Sequence, residues 1–532
     1  MLSQTYSKLR KFKLGKYHLL FLALLIIFGA FLLYDLAYMN LVWDETPHLY
    51  GGLLLSHGQL TAYLGLTRYP PLFDLIIAGF FKVFGASVFT GRLVSATFGL
   101  LSLVVLYKLA SKAYGQRVAF LSCIIMATMA GFFWLSRVTL LEMALEFFFL
   151  LTIYLFVEWL HSGKDLPLFL CGISLGLVFL TKYQGIVAGL VILAALPFML
   201  YRTEFKARLS RFWIFILATA AIVIPVLAFT YFSGTLGQWL SLLQGSDTAT
   251  NLYSVRFPQP IFYLIEITQP LDWVHPVSLL VLILGVHGLG FFVWRRKTMD
   301  KFLLIWFIVI YAVFTLIATK SWRYVMPLTP VVAIAAASFV SFLYDKMEHG
   351  WRSVRSSADT KWMAKFLAGC LIFLTATALV ISAVDAYGWM AQDSAHPFQF
   401  PQAVHYVAGG LTAINSVMVV CPVNYINMDM VHFYLEAYES KNNPTCQYPV
   451  YPTDAYSMNF NVTAMINMVQ HNNVKYLLFY ENRDSPFMNS NVTVQMVKNM
   501  IIQSGQFYQP VTFGNAPTIL WVFGVNSTAI KT

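Results

Sequence analysis

The sequence predicts a polytopic α-helical membrane protein that carries a soluble α/β domain at its C-terminal end. Three observations predict it. The chain of 532 residues is 58% hydrophobic and only 11% charged, with a mean hydropathy of +0.65, where globular chains run at roughly 45–50% apolar and about 25% charged. Its Lys and Arg residues gather in short clusters between apolar runs of membrane-spanning length. From Tyr387 onward the apolar runs shorten and polar and turn residues become frequent.

The net charge of +11 does not point to nucleic acid, because that reading needs a basic face on a soluble domain. Here the cations read as topology signals, and no nucleic-acid partner is expected. Five cysteines are too few for a disulfide scaffold; Cys123, Cys171 and Cys370 lie in apolar runs, which leaves Cys421 and Cys446 as the plausible pair. The opening segment begins like a signal peptide, but its apolar run is too long and lacks a small-residue cleavage site, so a retained anchor is expected.

Eleven spans are expected, near 18–40, 92–110, 117–135, 140–160, 166–182, 185–200, 211–232, 274–294, 302–319, 325–344 and 365–386. With the basic N-terminus in the cytoplasm, every segment that falls inside is basic, from Lys8 to Lys16 at the start to Lys346 to Lys365 before the last span. Residues 1–386 form the membrane domain. The run "PPLFDLIIAGFFKVFG", Pro70 to Gly85, is short for a ~30 Å core and is interrupted by Asp74 and Lys82. Counting it as a span would move later basic loops outside, so it reads as a helix lying at the outer interface. Residues 40–91 then make one long external loop with interfacial helices. A second external loop covers 233–273, with Gly245 to Ser254 as its mobile centre.

Residues 387–532 are expected outside the cytoplasm. Strand-length runs ("SVMVVC", "VKYLLFY", "TILWVFG") alternate there with amphipathic stretches, the pattern of a small α/β domain. Sequons at Asn461, Asn491 and Asn526 agree modestly with an outside location. The sequence shows no internal repeat, nucleotide-binding glycine loop or Cys/His metal cluster.

The outer ends of the spans collect Asp44, Glu45 and His48; Arg68 and Tyr69 before a Pro-Pro pair; Arg137 and Glu142; Lys182 and Tyr183; and Lys320, Arg323 and Tyr324. Ionisable residues at membrane depth are costly and usually face a cavity or a partner. Each alone is explained by snorkelling at the water boundary or by an aromatic belt. As a set, their cations oppose the positive-inside bias and form a candidate site for an anionic ligand.

The stretches "WDETPHLYGGLLLSHGQ", "RYPPLFDLIIAGFFKVFGASVFTGRLVSATFG", "WLSRVTLLEMALEFFF" and "SWRYVMPLTP" resemble the GT-C glycosyltransferases that use polyprenyl-phosphate sugars. Protein O-mannosyltransferases and the lipid A aminoarabinose transferase are the nearest branches. The resemblance covers residues 20 to 200 well and continues at Arg323. It implies that Asp44 is the catalytic base, with Glu45 beside it. It places Arg68, Arg323 and Tyr324 around the donor phosphate and gives Glu142 the task of orienting sugar or donor; from the residues gathered at the same outer face, Tyr69, Arg137 and Lys182 are expected to join the phosphate set and His48 the orienting one. Relatives carry the basic residue directly before the Pro pair, whereas here Tyr69 stands there and Arg68 precedes it.

The chemistry suits these residue types. The leaving group is already a phosphate with a second pKa near 6, so cations rather than a general acid are required. The acceptor hydroxyl attacks C1 from the opposite face and loses its proton to Asp44, which predicts inversion. No cofactor is required. A divalent metal remains open, with Glu45, His48, His57 and His275 as the groups that could assist one; the missing "WWD" sequence argues against the metal-using oligosaccharyltransferase branch. The expected partners are a polyprenyl-phosphate sugar, a protein, lipid or glycan acceptor, and membrane lipids, in a cell or endoplasmic-reticulum membrane. Two other classes fit a charged membrane face: a transporter, against which the missing internal symmetry argues, and an inactive lipid-binding homologue.

Overall fold

A computed structural model describes residues 15–37, 41–66, 69–200, 208–237, 257–269, 275–317, 320–353, 357–395, 399–412, 415–420, 426–439, 445–447, 469, 473–482, 494–515 and 518–526. Arg68, Cys421 and the sequons at Asn461 and Asn491 lie outside them, as does the side chain of Cys446; so do residues 238–256 of the second long loop.

The first long apolar helix is α1 (Lys16–Leu33). Three helices follow in the segment expected as the first loop: α2 (Thr46–Ser56), α3 (Leu60–Leu66) and α4 (Leu72–Phe84). The bundle continues with α5 (Val88–Tyr114), α6 (Gln116–Thr128), the short α7 (Ala130–Leu135), α8 (Glu142–Ser162), α9 (Asp165–Thr181), α10 (Val187–Met199) and α11 (Trp213–Phe232). It closes with α12 (Leu279–Arg295), α13 (Thr298–Leu316), α14 (Thr329–Arg352) and α15 (Ala358–Ala395). Among the described residues, seven helical stretches are long and apolar enough to cross a membrane and four shorter ones are apolar. Each expected span falls on one of these. The last helix runs through the boundary expected at 387, because its helical pattern continues beyond the apolar stretch.

The span expected at 117–135 is broken. Helix α6 ends where Met129 turns extended (ψ 121), and the backbone groups so released are satisfied by other elements, as a low-dielectric interior demands. Ser382 Oγ on α15 donates to Thr128 O at 2.6 Å, and Gly131 N donates to Pro276 O at 2.9 Å. A Cβ on Gly131 would meet Pro276, so this approach requires glycine. Helices α5, α8 and α14 form the buried centre of the bundle, and α1, α11 and α15 expose apolar faces at its periphery.

The direction of the helices separates two ends. Helix α5 begins beside Tyr438, whose hydroxyl accepts from Val88 N at 2.9 Å, and at 27 residues its other end lies about 40 Å away. At that far end ion pairs gather: Lys112–Glu158, Arg117–Asp345, Arg295–Asp300 and Arg211–Asp165. The near end carries residues 41–66 and 69–87 and the described part of the C-terminal domain.

That domain contains α16 (Phe400–Gly410), β1 (Ser416–Val420), α17 (Met428–Ala437), β2 (Thr445–Gln447), β3 (Val474–Asn482), α18 (Val494–Gln503), β4 (Val511–Phe513) and β5 (Thr518–Gly524). The strands form a mixed sheet in the order β2-β1-β3-β5-β4. Strand β1 runs parallel to β2 and β3, and β5 runs antiparallel to β3 and β4. Side chains alternate across the sheet: Val417, Val419, Leu478 and Val522 pack with α16 and α17, while Met418, Val420, Leu477 and Phe523 pack with Ile501 of α18. Both faces are covered, so β1 is buried throughout.

Helix α17 docks the domain onto α2. Thr46 Oγ1 donates to Asn427 Oδ1 at 2.9 Å, and Tyr50 OH to Glu436 Oε1 at 3.2 Å. The rings of Tyr50 and His432 stack at 5.2 Å, and Phe433 packs on Phe81 of α4 at 6.1 Å.

Candidate functional site

Residues Trp43–Glu45 form one turn of 3-10 helix that leads into α2. With about three residues per turn, neighbouring side chains in it leave in different directions, and Asp44 and Glu45 part company. The side chains of Glu45 and Arg92 retain no solvent exposure, whereas those of Asp44 and Arg323 each keep 24%.

Glu45 is held by a closed network. Arg92 Nε and Nη2 donate to its two oxygens at 2.9 and 2.7 Å, and the backbone N–H groups of Val42 and Thr139 donate at 3.0 and 2.7 Å. Arg92 Nη1 also donates to Leu36 O at 3.0 Å. Such two-pronged pairing satisfies a buried carboxylate. The expected role of Glu45 beside the reacting groups is therefore revised: it ties α5, the end of α1 and the 137–141 turn to the segment that presents Asp44.

Asp44 faces the open side. Arg323 Nη2 donates to Asp44 Oδ2 at 2.7 Å, and Arg323 Nη1 lies 3.9 Å from Glu142 Oε1. Lys182 Nζ donates to that same Glu142 oxygen at 3.2 Å. Glu142 Oε2 is buried without a hydrogen-bond partner among the described residues. Each side chain is positioned by a helix end: Glu142 opens α8, where the helix dipole favours a carboxylate; Lys182 follows α9 in extended conformation (φ −155, ψ 125); and Arg323 lies in a 3-10 turn, Trp322–Leu328, capped by Ser321. Trp322 is buried against Trp134 with ring centroids 5.9 Å apart.

Aromatic rings wall this group of charges. Lys182 Nζ stands 4.9 Å from the Tyr324 ring and 5.9 Å from the Tyr69 ring, and Tyr69 stacks with Tyr183 at 6.4 Å. His48 lies 5.9 Å from Tyr69. Its Nδ1 donates to Asp74 Oδ1 at 2.7 Å, and Tyr63 OH donates to Asp74 Oδ2 at 3.0 Å. Burial opposes charging of His48, yet Asp74, Glu142 and Asp44 outweigh it and raise its pKa above the usual 6.5. Burial and the nearby Tyr324 and Asp44 push the Tyr69 hydroxyl well above its usual value.

The structure thus brings together Asp44, His48, Tyr69, Glu142, Lys182, Arg323 and Tyr324. One expected phosphate ligand, Arg137, and one further cation of the outer set, Lys320, turn to helix carbonyls. Arg137 is buried, and its Nη1 donates to Phe31 O at 2.6 Å and Leu32 O at 2.8 Å; it caps the C-terminal carbonyls of α1, where a cation is favoured. Its Nη1 is thereby committed to α1 rather than to a donor phosphate. Lys320 likewise donates to Phe314 O at 2.8 Å and Thr315 O at 2.6 Å at the end of α13. Sequence reasoning missed Arg92, Asp74 and Tyr63 as parts of the site's support. Arg92 was visible as a charge opening an apolar span, and Asp74 as the interruption in "PPLFDLIIAGFF". Among the described residues, no three His, Cys, Asp or Glu side chains form a group that could hold a metal.

Comparison with known proteins supports the fold. Residues 68–230 match the family described as dolichyl-phosphate-mannose-protein mannosyltransferase. An uncharacterized protein of Aquifex aeolicus (strain VF5) is 26% identical over 339 residues, which cover 60% of this chain and 64% of that protein, less than two thirds of its length. ArnT from Cupriavidus metallidurans in the apo state superposes with a TM-score of 0.62 at 14% identity, covering 95% of this chain and 97% of its own. The same protein bound to undecaprenyl phosphate gives 0.61 at 15% identity, covering 96% and 98%. The Archaeoglobus fulgidus oligosaccharyltransferase in the apo form gives 0.53 at 14% identity, covering 88% of this chain and 70% of that one. The chain therefore shares the fold of ArnT and of the Archaeoglobus fulgidus oligosaccharyltransferase.

Proposed function

We propose that the protein is an inverting glycosyltransferase that moves a sugar from a polyprenyl-phosphate donor to a hydroxyl acceptor. Mannose or a related monosaccharide is the sugar and a protein, lipid or glycan carries the acceptor. The observation that carries the reading is the 2.7 Å pair of Asp44 with Arg323, about a quarter exposed to solvent and flanked by Glu142 and Lys182. Two carboxylates and two cations at one end of an apolar bundle suit a ligand with a polar sugar, an anionic phosphate and a lipid tail.

In this reading Arg323 and Lys182 turn to the donor phosphate, and Tyr69 and Tyr324 stand beside it. The C1–O bond breaks with its electron pair passing to the phosphate oxygen, whose growing charge the two cations offset. Arg323, drawn to the phosphate, frees Asp44. The acceptor oxygen forms the new bond to C1 from the opposite face, and its proton passes to Asp44. Glu142 Oε2, buried without a partner among the described residues, accepts a hydrogen bond from a sugar hydroxyl. The match of residues 68–230 to the mannosyltransferase family and the undecaprenyl phosphate bound by a protein of the same fold support a lipid-phosphate donor.

The reaction takes place at the extracytoplasmic face in this account, with the N-terminus in the cytoplasm. The ion-paired basic loops at the opposite end of the bundle support that orientation. Incubating the purified protein with a panel of polyprenyl-phosphate sugars and candidate acceptors, with mass spectrometry of the products, tests the reading. A glycosylated acceptor with inverted anomeric configuration is expected; absence of transfer from every donor, or retention at C1, overturns it.

A further inference from the structure

Behind the reacting groups, His48, Asp74 and Tyr63 form a chain of hydrogen bonds from three separate elements. The contacts are His48 Nδ1 to Asp74 Oδ1 at 2.7 Å and Tyr63 OH to Asp74 Oδ2 at 3.0 Å. All three residues are buried, at 6%, 3% and 2% exposure, and Phe73 stands edge-on to the imidazole at 5.3 Å. With Tyr63 and His48 both donating, Asp74 is fixed as an acceptor, which commits Nδ1 of His48 to carrying a proton. The opposite ring nitrogen, Nε2, has no protein partner among the described residues. It lies on the edge of the ring away from Asp74, and the ring adjoins Tyr69, over which Lys182 Nζ also stands.

We infer that Asp74 is a positioning residue that keeps His48 charged, so that His48 Nε2–H supplies a third cationic contact to the donor phosphate beside Lys182 and Arg323. The inference rests on the lipid-phosphate donor proposed above and assigns the regulation of its binding by pH. Three carboxylates act for the charge, Asp74 from α4, Glu142 from α8 and Asp44 from the 43–45 turn, and together they overcome the cost of burial; Lys182 and Arg323, paired with Glu142 and Asp44, are the cations that face it. Tyr69 and Tyr63 face it as neutral hydroxyls. The pair therefore holds its charge to higher pH than a free histidine and releases it as pH rises further.

The test is equilibrium binding of undecaprenyl monophosphate to the full-length protein in detergent, followed from about pH 6 to pH 9, a window that brackets the ordinary histidine pKa. Wild type is expected to bind most tightly at the acid end of the window and to weaken as the pH climbs through the raised His48 pKa, although the phosphate itself gains charge over this range. In Asp74→Asn the loss should move to lower pH, because the carboxylate that raises the His48 pKa is gone. His48→Gln should bind about tenfold more weakly at neutral pH and show no loss at higher pH. An Asp74→Asn profile that superimposes on wild type overturns the inference. If that variant does not fold, His48→Gln decides alone, and an unchanged affinity and profile overturn it. Wild type that fails to bind the lipid phosphate at every pH overturns the donor assignment itself, so the two failures are distinguishable.

Discussion

Arg323 Nη2 donates to Asp44 Oδ2 at 2.7 Å across 279 residues of chain, joining the turn before the tenth expected span to the turn after the first. The contact couples the proposed base to the cation that the donor phosphate would claim. Replacing Arg323 by Gln leaves Asp44 without its partner and the phosphate without a ligand. Transfer should fall about 10²–10³-fold, with weaker binding of undecaprenyl phosphate. Measuring initial rates and lipid-phosphate affinity on the same preparation checks both effects. Arg323→Lys should recover only part of the loss, because an ammonium cannot reproduce the planar fork.

Glu45 and Arg92 predict a different phenotype one residue away. Breaking this buried pair leaves an uncompensated charge and should cost about 3–5 kcal/mol of stability. Glu45→Ala is therefore expected to lower the folded yield and the melting temperature in detergent. Asp44→Asn should leave both near wild type. Equal melting losses in the two variants would contradict the separation of roles.

Arg137 caps α1 through Phe31 O and Leu32 O. Arg137→Met should destabilise the protein by about 2 kcal/mol, read as a lower melting temperature, while donor KM in the folded fraction stays unchanged. A selective rise in donor KM would restore Arg137 to the phosphate site.

His432 gives the domain junction a pH dependence. Burial against Tyr50 lowers its pKa from 6.5 to about 4. A base with a depressed pKa adds stability that is fully present above its unfolded value and is lost as pH falls towards the folded one. Docking of α17 on α2 should thus weaken from about pH 6.5 down to about 4. Hydrogen exchange of α17 amides across this range should show the opening, and His432→Phe should remove the dependence.

Much of the fold was legible because bilayer-spanning helices announce themselves by length and hydropathy, and each expected span found a helix. The runs "SVMVVC", "VKYLLFY" and "TILWVFG" became β1, β3 and β5, while the three-residue edges β2 and β4 were too short to leave a pattern. The site was legible in part. Asp44, Glu142, Lys182 and Arg323 could be gathered by placing span ends on one face. Parity, however, says which end of a helix a cation occupies and not where it points. Arg137 and Lys320 share that end yet turn back onto helix carbonyls, and Glu45 turns inward where its neighbour turns outward. Arg92 and Asp74 were hidden because each reads as a flaw in an apolar run, and only the fold supplies Glu45 and His48 as their partners.

The most direct test of the account is the turnover of Asp44→Asn with a polyprenyl-phosphate sugar that wild type uses, alongside its affinity for undecaprenyl phosphate. The account predicts transfer reduced by at least about 10²–10⁴-fold, with folding and lipid-phosphate binding kept. A variant that transfers sugar at the wild-type rate would show that Asp44 is not the base.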